Sequence, residues 1–177
     1  MMHASGSDLA AVPPLTPSTE QATPAAGEVS GSESAVRFAR ARRGLIADQM
    51  SLAQAYLEGD GVLKNQEKAA SWFIIAGENG SAKAKRRSIE ITRGMARAQI
   101  ARIRFDVGKM YKDGTGVRKN YISAHTWFEL SKAAGDIRAE DEEKILRTRM
   151  QPAQVKEGQN RASAWLRSHF RRVHDRL

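Results

Sequence analysis

Four histidines, one run of four acids and two glycine-rich turns are the residues whose types and spacing could do chemistry. His169 and His174 stand five apart, about 140° round a helix, so they do not share a face as an i, i+4 zinc pair would. His3 lies near the start of the chain and His125 lies beside Trp127. There is no cysteine. A protein-only zinc site would therefore need a cluster of histidine and carboxylates, which the sequence does not suggest. Glu140-Asp141-Glu142-Glu143 could be drawn as a carboxylate pair for acid–base work. Four adjacent acids on one helix point in four directions, however, and do not converge on a substrate. No nucleophile has a base beside it. Gly59-Asp60-Gly61 and Gly114-Thr115-Gly116 invite a phosphate-loop reading, but both lack the third glycine of the dinucleotide fingerprint, and Gly-Lys-Ser/Thr is absent. They read as turns between helices. The residues thus predict no enzyme: no catalytic group, no cofactor and no metal.

The elements that hold these residues come from composition and spacing. With 177 residues the chain has room for one domain plus tails. It is 41% apolar, carries a net charge of +9 and has a pI near 10.2, a balance that favours an acidic partner. No window reaches the roughly 18 apolar residues of a membrane helix. The start lacks a basic stretch followed by an apolar run, so no secretory signal is expected. Residues 1–34 hold four of the five prolines, no Lys or Arg, and the acids Asp8, Glu20, Glu28 and Glu33. Such a segment cannot bury enough apolar surface to offset the ordering of its backbone, about 1–2 kcal/mol per residue, and is expected to be a disordered tail. Residues 35–177 then carry 29 basic and 16 acidic side chains, a net +13.

Within 35–177 the apolar residues keep helical spacing: Ile100, Ile103, Val107, Met110 and Tyr111; Ala124, Trp127 and Phe128; Val155, Ala162, Leu166, Phe170, Val173 and Leu177. No alternating stretch suggests a strand. The chain also matches itself at an offset of 55. Residues 51–100 against 106–155 give 14 identities in 50 without a gap, among them Tyr56/Tyr111, Gly59/Gly114, Gly61-Val62/Gly116-Val117, Lys64-Asn65/Lys119-Asn120, Trp72-Phe73/Trp127-Phe128 and Gly80/Gly135. Such a period marks stacked helical units. Tyr-x-x-Gly-x-Gly-Val ends one helix, with glycines for the left-handed conformations of a tight reversal. Asn65 and Asn120 are N-caps of the next helix. Gly80 and Gly135 end that helix, and Ser81 and Asp136 can cap a third. Each unit is a helical hairpin plus a further helix, with the aromatic residues in the core.

At these residues a family resemblance emerges. Leu52-Ala53-Gln54-Ala55-Tyr56-Leu57-Glu58-Gly59-Asp60-Gly61-Val62 and Val107-Gly108-Lys109-Met110-Tyr111-Lys112-Asp113-Gly114-Thr115-Gly116-Val117, each followed by Ala-x-x-Trp-Phe and a glycine, resemble the Sel-one-like repeat, a relative of the tetratricopeptide repeat. Repeat one spans about 47–84, an extra helix about 82–94, repeat two about 96–139 and closing helices about 137–177. The extra helix makes the period longer than the family's usual one. Repeat one also ends Gly77-Glu78-Asn79-Gly80, where the family places paired alanines before the glycine. The resemblance implies an all-α, right-handed helical-repeat solenoid of two units plus flanking helices, which binds another protein as an adaptor without chemistry of its own.

The basic residues are the feature beyond the scaffold. Residues 83–104 carry eight cations against Glu90 alone, and Arg37, Arg40, Arg42 and Arg43 cluster upstream. Arg102 with Asp106 and Lys109 with Asp113 are spaced as i, i+4 pairs. Arg97 and Arg104 share a face with the small residues Ala101 and Gly108 and have no acid at i±4. They are the candidate partner-binding residues, with Arg171 and Arg172 near the chain end. At the 55-residue offset Lys85-Arg86-Arg87 falls on Glu140-Asp141-Glu142, an arrangement expected to draw the two runs together. The function expected is a protein–protein adaptor for an acidic partner. A basic nucleic-acid-binding module is the alternative, an exported effector-type scaffold a further one. Cytoplasm is the default location, with export through a disordered leader as the other possibility.

Overall fold

The computed structural model describes the backbone of residues 26–174 and the side chains of residues 34–167. Each hairpin ends its first helix on glycine. In α2 (Ile46–Glu58) and α5 (Arg97–Asp113) the last turn runs into Gly59 and Gly114, at φ 83° and 76°, whose N–H groups donate to Ala55 O and Met110 O. A second left-handed glycine follows, Gly61 or Gly116. The chain then turns back, and Asn65 and Asn120 donate to Tyr56 O and Tyr111 O. The asparagine side chains cap α3 (Gln66–Glu78) and α6 (Tyr121–Ala133) by accepting from Lys68 N and Ser123 N, at 2.9 and 3.0 Å. Ser81 caps the third helix, α4 (Ala82–Thr92), and Asp136 accepts from Arg138 N at the start of its counterpart α7 (Arg138–Arg147).

Flanking these six are α1 (Ala26–Arg42) and α8 (Pro152–His174). All described elements are helices. The boundary expected at residue 34 falls inside α1, which begins at Ala26. Its later turns are anchored by Ala41, which is buried, and by Phe38, edge-on to Trp72 with centroids 5.8 Å apart. Once a turn is fixed, each further residue adds a hydrogen bond at lower entropic cost, so the helix extends upstream. Residues 1–25 of the expected tail lie outside the described residues.

The offset of 55 governs the whole array. α3 and α6 coincide under it, α7 falls on α4, and α8 begins where α5 would. Even the entry is repeated: Ala96 N–H donates to Gln99 Oε1, and Gln151 N–H to Gln154 Oε1. α8 packs on α6 as α5 packs on α3. It is thus the first helix of a third unit. On its inward face Gly158 and Ala162 replace Ile103 and Val107 of α5, and all four are buried. On the opposite face Ala101, Phe105 and Gly108 of α5, which meet α6, are replaced by exposed Lys156, Asn160 and Ser163. A polar outer face ends a repeat array.

The core runs continuously through both units: Leu52, Ala53, Trp72, Phe73 and Ile75 join Phe105, Val107, Tyr111, Phe128 and Leu146. Tyr56 and Trp127, expected inside with their partners, are only partly buried. Gly108 brings α5 against the Phe128 ring, where a Cβ would stand 2.7 Å from ring carbons.

The units are joined by one polar node. Gln49, fully buried, donates from Nε2 to Gly116 O at 2.6 Å and to Ala41 O at 3.3 Å. Asn79 Nδ2 donates to Gly116 O and Gln49 Oε1, at 2.9 and 3.0 Å, and Gly116 N–H donates to Arg42 O. The α5–α6 turn of unit two is thereby held on α1, α2 and α3. Asn79 thus has a partner-bearing role that Ala134, its match at the 55-residue offset, does not share.

Candidate functional site

Arg97 and Arg104 both reach the end of α6. Arg97 Nη2 donates to Ala133 O at 2.6 Å, and Arg104 Nη1 to Leu130 O at 2.9 Å. These carbonyls lie in the last turn, where no intrahelical N–H is available, and a cation there also opposes the helix dipole. Arg104 lies 4.6 Å from the Trp165 ring of α8, and burial, with Arg97 nearby, lowers its guanidinium to about 10. Ala101 and Gly108 face α6, so no second chain reaches the backbone at that position. Arg97 is exposed despite its bond and Arg104 is half-buried. Arg171 and Arg172 lie on α8, but their side chains fall outside the described residues.

Two local pairings differ from expectation. Arg102 does not turn to Asp106. It makes a bidentate pair with Glu67 of α3, its Nε 2.8 Å from Oε2, and that pair holds the Glu67 carboxyl below its usual range. Lys109 sits over the Phe105 ring, and among the described residues it makes no ion pair with Asp113. The parallel planes of a guanidinium and a carboxylate across two helices win over one bond along a helix.

The two charged runs at the repeat offset do not meet either. Arg87 pairs with Glu90, Glu142 with Lys112 and Glu140 with Lys144. α4 packs on α3 and α7 on α6, so each third helix lies against its own unit. Lys83, Lys85, Arg86 and Arg93 of and beside α4 are exposed, and none is in an ion pair among the described residues. They form an open basic face among the described residues.

A second group escaped the sequence. Glu143 is buried because it stands in phase with Ala139 and Leu146 on the inner stripe of α7. Its Oε1 is 3.4 Å from Nε2 of His125, which is fully buried on α6. Lys132 Nζ bridges Glu143 Oε2 at 2.6 Å and Glu129 Oε2 at 3.1 Å, and Arg147 approaches Glu143 Oε1 at 3.7 Å. Burial pushes the imidazole of His125 below its ordinary value. Burial also pushes the Glu143 carboxyl up, but Lys132 and the other neighbours hold it below the usual range overall. A cluster of histidine and carboxylates is therefore present, where the sequence suggested none. Two signals pointed to it: the i, i+4 spacing of His125 and Glu129, and the phase of Glu143 with Ala139 and Leu146. Gly59, Gly61, Gly114 and Gly116 make reversals, as expected.

The architecture defines an α-helical repeat array. A family model described as the Sel1 repeat matches residues 47–81 and 104–136, which are the two hairpins. The chain thus carries two Sel1-like repeats, one in each hairpin. Sel1 repeats are generally protein–protein interaction modules, typically without catalysis. Among solved structures, the protein c5321, a protective antigen present in uropathogenic Escherichia coli strains and displaying an SLR fold, is similar at 18% identity and a TM-score of 0.42. The likeness covers 80% of this chain and 30% of that one, so this chain spans about a third of its length. No curated protein matches the sequence. No described helix is long and apolar enough to cross a membrane.

Proposed function

We propose that the protein is a non-catalytic adaptor that binds an acidic segment of another protein. The observation that carries this reading is the face of α4, where Lys83, Lys85, Arg86 and Arg93 stand exposed with no ion pair among the described residues. Three cations elsewhere are held inside the array, Arg102 on Glu67, Lys112 on Glu142 and Lys132 on Glu143, whereas those of α4 stand together on one short helix. Arg97, exposed and close in sequence, extends the same basic stretch, whereas Arg104 is taken up by Leu130 O and Trp165.

The test is binding of an Asp/Glu-rich peptide and of a random RNA oligomer to the full chain at two salt concentrations. The comparison is a triple variant, Lys83→Glu, Arg86→Glu, Arg93→Glu. The expected result is peptide binding that weakens with salt, because exposed charges are screened over ~10 Å at 0.1 M, and that the variant abolishes with helicity unchanged. Tighter binding of RNA than of peptide, with a steep salt slope, would give the molecule to the nucleic-acid reading instead.

A further inference from the structure

His125 and Glu129 share one face of α6, and Glu143 reaches the same point from α7. One donor atom from each lies within 4.8 Å of the others. Neither ring nitrogen of the fully buried His125 makes a hydrogen bond. An unmade bond of this kind leaves the desolvation of a buried polar group uncompensated, so a buried imidazole without partners calls for an explanation. Nδ1 is closed off by α8, since a Cβ on Gly158 would stand 2.8 Å from it. Nε2 faces the carboxylates, 3.4 Å from Glu143 Oε1.

We propose that Nε2 of His125 and the carboxylates of Glu129 and Glu143 are the protein ligands of a divalent transition metal, zinc fitting best, and that Lys132 is the cation that occupies the site without it. One imidazole and two carboxylates are a donor set that zinc accepts, whereas magnesium and calcium take oxygen alone. Three protein ligands leave a fourth position for water. The Lys132 ammonium already draws both carboxylates around one positive charge. Its side chain is 39% exposed and has a path into solvent. It donates to the carboxylates and leaves Nε2 unpaired, and a metal ion satisfies all three groups. Arg147, half-exposed and 3.7 Å from Glu143, remains as an outer partner. The ion would tie α6 to α7 beneath α8.

The experiment uses the full chain, stripped with chelator and dialysed. Thermal unfolding is followed with zinc or magnesium, and cobalt binding by its visible d–d absorption. Because His125 is buried, the informative variants are the less buried Glu129→Gln and Lys132→Met. Zinc should raise the melting temperature of the wild type and magnesium should not. Glu129→Gln should weaken zinc and cobalt binding by about tenfold or more, and Lys132→Met should tighten both by about tenfold. Equal zinc affinity in wild type and Glu129→Gln would place the metal on other histidines and overturn the proposal. So would a Lys132→Met protein that binds no metal, or binding confined to that variant.

Discussion

At the scale of single residues, Gly116 shows why two positions with one sequence role differ in energy. Gly80 and Gly116 both have positive φ, at 110° and 76°. A Cβ on Gly80 meets nothing within 4 Å, while one on Gly116 would stand 2.8 Å from the Trp72 ring and 3.3 Å from Ala41 O. Gly80→Ala should therefore cost only the left-handed strain, about 1–2 kcal/mol. Gly116→Ala should cost clearly more, and urea unfolding of the two variants checks the order. The repeat announced both glycines as turn residues. It could not announce that one of them is also a packing surface, because that depends on a neighbouring unit. Arg102 teaches the same lesson, since i, i+4 spacing proposes Asp106 and only the juxtaposition of α3 and α5 supplies Glu67. Glu67 is held below its usual range by the Arg102 hydrogen bonds, against the pull of burial. A carboxyl with a lowered folded pKa contributes stability that is complete above its unfolded value, near 4.5, and is lost as pH falls through the folded value. Acid unfolding of Glu67→Gln should accordingly begin from a lower plateau at pH 7 and fall less steeply below about pH 4.5. An unchanged slope would show the pair to be energetically silent.

At the scale of helices, most of the order was legible. Gly at the end of α2 and α5, Asn before α3 and α6, and Ser before α4 name their elements by local chemistry, and the structure uses each in that way. Asn120→Ala should cost about 1 kcal/mol, as loss of an N-cap does, with helix α6 otherwise intact by circular dichroism. What the pattern could not show is that matched positions are buried unequally. Trp72 is 5% exposed because α1 brings Phe38 against it and the unit-two turn brings Gly116. Trp127 occupies the same place in α6 and is half-buried. Trp72→Ala should cost about 3–5 kcal/mol, and Trp127→Ala distinctly less, since the cost grows with the buried volume that truncation empties. Equal melting-temperature losses would mean that the covering of Trp72 adds nothing. The upstream edge of α1 lay beyond composition for a related reason: composition reports what a segment can bury, and helix propagation from a fixed turn needs little burial.

At the scale of the whole molecule, the offset of 55 carries through from α2 to α8, and the third-helix layer changes sign along it, from the basic α4 to the more acidic α7. α8 closes the array with Lys156, Asn160 and Ser163 outward, so a further hairpin has no apolar seat there. Replacing these three with Ala, Phe and Gly, the residues of α5, should make the protein self-associate, as read by sedimentation. An unchanged monomer–oligomer distribution would deny α8 its closing role. The repeats and the hairpins were readable because local rules repeat; the His125 cluster was signalled only in its parts, because packing alone decides that the α6 pair meets Glu143 of α7. The Gln49–Gly116 bond, finally, bears on how the chain finds its fold. Repeat arrays are built mainly from neighbours along the chain, yet this bond joins residues 67 apart. Closing so long a loop costs entropy before any contact repays it. The buried Gln49 amide of unit one is thus satisfied only when the turn of unit two is in place, which ties the two units into one cooperative body. In stopped-flow refolding, Gln49→Leu should speed unfolding and leave the early helix-forming phase untouched.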